Sequence, residues 1–221
     1  MLHPLKSGLF EIISLSSFDA LCHGNVPAGQ QYYDAVKSHS KAMGQSYLTQ
    51  NADQISDNTV ILYIPRGGEP TGKGLRDAFL EAAQPKNIQT RVSQTKTTPN
   101  QLYPDDTFRN ASTLIIADGI IGTGKTIVDH LNQIPATWNG RIEIFANAAS
   151  ELGLRTIGAA IASVPQPVHG VIGRIFDDNE CEWVDIPGKK VYFVGYNKAR
   201  GLDYQLPDFG DHINVHPPTI K

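Results

Sequence analysis

The residues with the clearest chemical potential lie in one run. An apolar segment from Thr113 to Ala117 ends in Asp118 and continues into the turn Gly119-Ile-Ile-Gly-Thr-Gly-Lys-Thr126. Residues 127–134 then place apolar side chains at helical spacing. A glycine-rich turn at a helix N-terminus presents free amides and the positive end of the helix dipole, and both favour an anion. The run therefore predicts a phosphate site.

Two kinds of phosphate loop fit these letters. The spacing from Gly119 to Gly124-Lys125-Thr126 satisfies the P-loop pattern of nucleoside-triphosphate-using kinases, in which the lysine reaches the β- and γ-phosphates. Taken from Asp118 onward, the run resembles the phosphoribosyl-pyrophosphate loop of type I phosphoribosyltransferases. In that family the acid meets the ribose hydroxyls and the turn wraps the 5′-phosphate.

Three features of the sequence favour the ribose interpretation. A P-loop usually follows the first strand of its domain, but a strand and helix over 59–83 already precede this run. The later apolar strands, 141–146 and 190–195, do not end in the aspartate that a P-loop enzyme needs for its metal. An acid at position 118 would also repel a triphosphate, whereas it suits a sugar diol.

Two further motifs resemble uracil phosphoribosyltransferases. The apolar run from Val60 leads into Pro65-Arg66-Gly-Gly, which is similar to that family's Leu-Arg-Ala-Gly turn. Near the C-terminus, Tyr204-Gln-Leu-Pro-Asp-Phe-Gly-Asp-His212 matches the Tyr-x-x-Pro-x-x-Gly-Asp pattern that closes the family's uracil pocket. The segment 144–153 resembles a third family element, a strand ending Ala-Ala-Pro-Glu-Gly.

This resemblance implies roles for individual residues. Asp118 and Arg66 would be catalytic, with Asp118 on the ribose 2- and 3-hydroxyls and Arg66 on the diphosphate. Gln205, Gly210 and His212 would contact the base. The donor site would consist of Arg66, Arg91, Asp118, Gly119, Ile120, Ile121, Gly122, Thr123, Gly124, Lys125, Thr126 and Asp211.

The sequence also departs from the family pattern. Lys125 replaces a glycine, Gly119 replaces a proline, and the second half of the pocket motif is missing after Asp211. The identity of the acceptor base is therefore undetermined, and uracil is the default. We expect Mg²⁺ to arrive with the diphosphate, because no histidine pair has metal-ligand spacing. The other hypotheses are a P-loop kinase and a non-catalytic regulator that binds phosphoribosyl pyrophosphate.

Composition favours a small-molecule enzyme. A chain of 221 residues with 40% hydrophobic content can bury one α/β core. The net charge of −3 gives no basic footprint for nucleic acid. Cys22 and Cys181 are far apart, which suits a reducing compartment, and no apolar run reaches the roughly 18–20 residues of a membrane span. We expect a cytoplasmic protein, and the resemblance implies a homodimer or a higher homo-oligomer.

Apolar periodicity predicts an α/β fold in which a mostly parallel sheet is flanked by helices. A polar lid over 84–106 and a C-terminal base-binding loop would complete the site. We expect a single domain over 1–221, with a helical segment over 1–55, the core sheet and donor site over 56–165, and strands with the base-binding loop over 166–221. The predicted elements are helices at 31–49, 73–84, 124–134 and 150–163, and strands at 59–65, 89–94, 112–118, 141–148, 169–176 and 189–195.

Overall fold

The structure is a computed structural model, and it describes residues 8–15, 30–51, 58–65, 67–82, 87–93, 102–104, 106–186, 189–197, 199 and 202–203. The statements below concern these residues. The predicted base-binding loop, the middle of the predicted lid (94–101) and Arg66 lie outside them.

Ten strands and four α-helices follow one another in this part of the chain. In order they are β1 Phe10–Ile12, α1 Gln30–Asn51, β2 Asn58–Tyr63, α2 Gly68–Ala82, β3 Asn87–Val92, β4 Thr113–Ile121, α3 Lys125–Leu131, β5 Arg141–Ser150, α4 Glu151–Ile161, β6 Val168–Phe176, β7 Cys181–Ile186, β8 Lys189–Val194, β9 Tyr196–Asn197 and β10 Leu202–Asp203. A short 3₁₀ helix, Asp178–Glu180, precedes β7.

Six strands of the described chain form one sheet in the order β1-β6-β5-β4-β2-β3, and each of its strand pairs is parallel. Helices cover both faces of the sheet. The predicted α/β class with a parallel sheet flanked by helices is therefore confirmed. Because β1 and β6 belong to this sheet, it draws on residues from outside the predicted core segment 56–165.

The sheet has two apolar faces, which is why its central strands are nearly continuous apolar runs. One face packs under α1 and α2, where Met43, Tyr47, Leu75 and Phe79 meet Phe145. The other face packs under α3 and α4 through side chains that include Ile127, Leu131, Leu154 and Ile157. Strand alternation sends neighbouring residues of β4 to opposite faces, so that Ile115 joins the first cluster and Ile116 the second.

Several elements differ from the sequence-based predictions. The three-residue strand β1 was not predicted, because a strand this short carries too little periodicity, and it is held by parallel pairing of Phe10–Ile12 with β6. Helix α2 begins at Gly68, five residues before the predicted start, because Pro70 is compatible with a first helical turn. The predicted strand at 189–195 is β8, and it pairs antiparallel with the unpredicted β7 in a separate hairpin.

Among the described helices, none combines the length with the apolar character that crossing a bilayer requires.

Candidate active site

The strand order changes direction between β2 and β4. The chain passes from β2 outward to β3, and then returns to the other side of β2 to form β4, β5 and β6 in turn. In open parallel sheets, ligands bind beside the carboxyl ends of the strands at such a switch point. The segments that follow β2 and β4 are therefore the first place to look for a site.

The turn after β2 lies directly against β4. The Ile64 amide donates to the Ala117 carbonyl at 3.0 Å, and the Gly68 amide donates to the Ile64 carbonyl at 3.1 Å. A Cβ at Gly119 would lie 2.6 Å from the carbonyl oxygen of Gly67, so only glycine permits this approach. The turn that contains Arg66 and the strand that contains Asp118 are thus brought together, although Arg66 itself lies outside the described residues.

Asp118 lies inside β4, not at its end. The predicted strand end at Asp118 is wrong, because pairing with β5 continues through Ile120 opposite Ala148 and Ile121 opposite Ala149. The Asp118 side chain is half-buried, and its carboxylate accepts a hydrogen bond from the Gly119 amide at 2.7 Å. By strand alternation Asp118 shares the sheet face of Ile116, which is the face covered by α3 and α4. The carboxylate therefore lies on the side of the sheet where the glycine-rich loop leads into α3.

The loop after β4 packs against the first residues of α4. The Ser150 hydroxyl donates to the Gly122 carbonyl at 2.5 Å and accepts from the Gly153 amide at 2.9 Å. Gly124 has a φ of 77°, and a Cβ there would lie 2.5 Å from the Gly153 carbonyl oxygen. Packing against a neighbouring helix start therefore fixes the path of the loop.

The helix that follows this loop, α3, begins without a side-chain cap from the described residues. Gly124 is the N-cap residue of α3, and no side chain in the described part of the chain caps this helix. The first amides of α3 point back toward the loop without intrahelical partners and carry the positive end of the helix dipole. Thr123 is half-buried and Thr126 is exposed. Amides and hydroxyls arranged in this way suit a phosphate group.

Lys125 does not extend over the loop. Its amine pairs with the Asp129 carboxylate at 2.6 Å, one turn further along α3, and 76% of the Lys125 side chain is exposed. A P-loop lysine has to reach the β- and γ-phosphates of its nucleotide. The orientation of Lys125 therefore gives no support to the triphosphate interpretation.

The structure places Arg91 away from this loop. It lies on the edge strand β3, where its guanidinium donates to the Asp106 carboxylate at 2.7 Å and to the Gln89 side chain at 2.9 Å. An arginine held in this way would have to give up both partners to reach a diphosphate. The role of Arg91 in the donor site stays a prediction.

A buried serine–histidine contact anchors α3, and the sequence analysis did not find it. His130 is fully buried, its Nδ1 lies 2.7 Å from the Thr126 carbonyl, and its Nε2 lies 2.7 Å from the Ser93 hydroxyl. Burial lowers the pKa of His130, against smaller opposing effects of Thr126 and Asp129. The ring is therefore neutral, with Nδ1–H donating to Thr126 and Ser93 donating to Nε2. This contact ties α3 to the residue that follows β3, and 37 residues of separation gave no local signal for it.

The hairpin of β7 and β8 reaches the same loop. A Cβ at Gly122 would meet only the ring of Tyr192, at 3.8 Å. Burial, and then the neighbouring Cys181, raise the pKa of Tyr192, so the phenol stays protonated and can hydrogen-bond to Cys181 and Ser150. This contact was not predicted from the sequence, because β7 was not predicted.

The remaining predicted site residues cannot be located in the described chain. Arg66, Gln205, Gly210, Asp211 and His212 all lie outside it. Within the described ranges, no group of three or more His, Cys, Asp or Glu side chains is arranged to hold a metal ion.

Comparison with solved structures defines the fold. The chain is similar to the AQ2163 protein from Aquifex aeolicus, with a TM-score of 0.57 and 13% identity over 76% of this chain and 88% of that one. It is also similar to adenine phosphoribosyltransferase from Leishmania donovani, with a TM-score of 0.50 and 13% identity over 76% of this chain and 84% of that one. No protein-family model and no curated protein matches the sequence. The chain therefore has the type I phosphoribosyltransferase fold.

Proposed function

We propose that this protein transfers the phosphoribosyl group of 5-phosphoribosyl 1-pyrophosphate to a nucleobase, releasing pyrophosphate. The observation that carries the proposal is the arrangement at the switch point. There, the turn after β2 packs on β4 beside Asp118, and the glycine-rich loop after β4 opens the N-terminus of α3. Asp118, the acid proposed to bind the ribose hydroxyls, is thus followed along the chain by the loop proposed to bind the phosphate.

The site has to stabilise positive charge on one part of the reacting donor and negative charge on another. As the bond from C1 to pyrophosphate breaks, positive charge develops on the ribose ring and negative charge on the departing oxygens. Asp118 would hold the 2- and 3-hydroxyls, while the amides from Gly122 to Thr126 and the hydroxyls of Thr123 and Thr126 would hold the 5-phosphate. Arg66 would neutralise the diphosphate, with Asp211 facing the donor and Arg91 as a further candidate. Mg²⁺ would come bound to the diphosphate.

For the acceptor we propose a pyrimidine, with uracil as the first base to test. The support is the Tyr204–His212 motif of the sequence, in which Gly210 and His212 would contact the base edge through the main chain and Gln205 through its carbonyl. Because main-chain groups would recognise the base, side-chain changes in this segment are compatible with binding. A homodimer or a higher homo-oligomer also stays a prediction, which light scattering on the purified protein tests.

Pyrophosphate release with a panel of bases tests the reaction, and an aspartate substitution tests the site. We expect Asp118→Asn to weaken binding of phosphoribosyl pyrophosphate by roughly 10- to 150-fold, because hydrogen bonds to a charged group contribute about 1.5–3 kcal/mol. Asp129→Asn is the matched control. Its carboxylate lies one turn into α3 and pairs only with the exposed Lys125 among the ion pairs of the described residues, so we expect its effect to stay within about twofold.

Calorimetry with Mg²⁺ distinguishes the competing hypotheses. Heat with phosphoribosyl pyrophosphate followed by turnover with one base supports the proposal. Tight binding of the donor without turnover on any base would favour the regulator, and tight ATP binding without donor binding would favour the kinase. Equal losses in Asp118→Asn and Asp129→Asn would refute the assignment of Asp118.

A further inference from the structure

A polar cavity lies beside β3, at the outer edge of the sheet. It has a volume of about 150 Å³, and its lining includes Asn58 and Asn87, the first residues of β2 and β3, and the segment 106–111 before β4. The proposed donor site lies beyond the last residues of β2. On β2 the lining ends at Val60, three residues or about 10 Å before the last residue of the strand, and on β3 it reaches Arg91, which pairs with Leu62.

Two arginines give this cavity a net positive charge. Arg91 is oriented by Asp106 and Gln89, at 2.7 and 2.9 Å, and the Nε of Arg91 has no hydrogen-bond partner in the described chain. Arg109 is exposed and makes no ion pair with any described residue. Asp106 offsets only one of the two guanidinium charges, so the lining keeps an excess of one positive charge.

Thr107 supplies an independent observation that points to a ligand. It lines the cavity with only 1% of its surface exposed, and its hydroxyl has no hydrogen-bond partner in the part of the chain that the structure describes. Buried hydroxyls are almost always hydrogen-bonded in native proteins. The Thr107 hydroxyl is therefore a candidate partner for a ligand oxygen in the cavity.

We propose that this cavity binds the phosphate group of a small metabolite, at a site distinct from the loop after β4 that would hold the 5-phosphate. The lining supplies the Arg109 guanidinium, the Thr107 hydroxyl and the side-chain amide of Asn110 as donors, and so many donors suit the several oxygens of a phosphate better than the two of a carboxylate. The cavity volume is far larger than the space of about 10–15 Å³ that one water molecule needs. It is also below the roughly 300–1,000 Å³ of pockets for drug-sized ligands. A phosphate group, alone or as the end of a sugar phosphate, fits these limits.

Nuclear magnetic resonance of the full-length protein, titrated with inorganic phosphate at constant ionic strength, tests the proposal. We expect saturable shifts of the backbone amides of 107–110. Arg109→Gln should weaken this binding by about tenfold or more, as for hydrogen bonds to a charged donor. Thr107→Val, which keeps the shape of the side chain, should weaken it by roughly 3- to 10-fold. Arg76→Gln is the control, because Arg76 is an exposed arginine on α2, on the other face of the sheet.

The outcomes separate this site from the donor site. Shifts at 107–110 that Arg76→Gln retains and Arg109→Gln loses support the proposal. Shifts confined to Gly122–Gly124 would overturn it, as would equal affinities in Arg109→Gln and wild type. Acetate that saturates 107–110 as tightly as phosphate would overturn the assignment to phosphate. Failure of phosphoribosyl transfer leaves all of these readouts unchanged.

Discussion

Gly124 gives the sharpest test of how the glycine-rich loop is held. Its φ of 77° lies in the left-handed region, and a Cβ there would lie 2.5 Å from the Gly153 carbonyl oxygen. The left-handed conformation costs an L-residue about 1–2 kcal/mol. Overpacking a fixed contact typically costs about 1–3 kcal/mol more. We therefore expect Gly124→Ala to lower the free energy of unfolding by about 2–5 kcal/mol.

Thermal unfolding followed by circular dichroism measures this loss. In a chain of this size, 1 kcal/mol shifts the midpoint by about 2–4 °C, so we expect Gly124→Ala to unfold about 4–20 °C below wild type. Gly122→Ala is the matched control, two residues away in the same loop. Gly122 is not among the described glycines with positive φ, and its Cβ would meet only Tyr192 at 3.8 Å. A glycine-to-alanine change at such a site is neutral or stabilising by about 0.4–1 kcal/mol.

Equal midpoints for Gly124→Ala and Gly122→Ala would refute the packing of the loop on α4. A further readout comes from calorimetry with phosphoribosyl pyrophosphate. Gly124→Ala should weaken donor binding even at temperatures where the variant is fully folded, because relief of the contact with Gly153 moves the amides at the start of α3. An unchanged donor affinity would mean that these amides do not hold the phosphate.

Three other predictions concern neighbouring residues. Gly119→Ala should lose about 1–3 kcal/mol in urea unfolding, since its Cβ would lie 2.6 Å from the Gly67 carbonyl oxygen, and a wild-type midpoint would contradict this contact. The buried His130 has a lowered pKa, so below the unfolded-state pKa of about 6.5 only the unfolded chain binds its proton and stability falls with falling pH. Between pH 7.5 and 5.5 the wild type should lose up to about 1.4 kcal/mol more than His130→Gln, and identical losses would show that folding does not lower the pKa of His130. Lys125→Ala should change stability by about 0.5 kcal/mol or less, because its pair with Asp129 is exposed. A loss of tight ATP binding in Lys125→Ala would revive the triphosphate interpretation.

Much of the fold could be predicted because short stretches of the sequence carry the patterns that specify its strands and helices. The central strands are short apolar runs that alternate with helical periodicity, and this alternation is enough to predict a parallel sheet with helices on both faces. The acid at Asp118, the glycines after it and the start of α3 lie within nine residues of sequence, so the candidate phosphate loop was recognised from the chain alone. The turn after β2 was predicted for the same reason, since its arginine and its glycines are neighbours in the sequence.

The features that were missed depend on residues that are distant in sequence. Pairing with β5 carries β4 three residues past Asp118, and pairing with β6 makes a strand of Phe10–Ile12. The position of Arg91 beside Asp106 and the contact of Ser93 with His130 join segments that share no local pattern.

The sequence by itself determined the order of the four helices and of the strands β2 to β6, and the chemical types along the candidate loop. Only the tertiary structure decided that β1 closes one edge of the sheet, that the loop after β4 is seated on α4 through Ser150 and Gly153, and that a polar cavity with Arg109 and Thr107 forms at the other edge. The physical reason is that periodicity and turn chemistry act over a few neighbouring residues. Register, close backbone approach and ion pairing depend on which distant segments the packed sheet brings together.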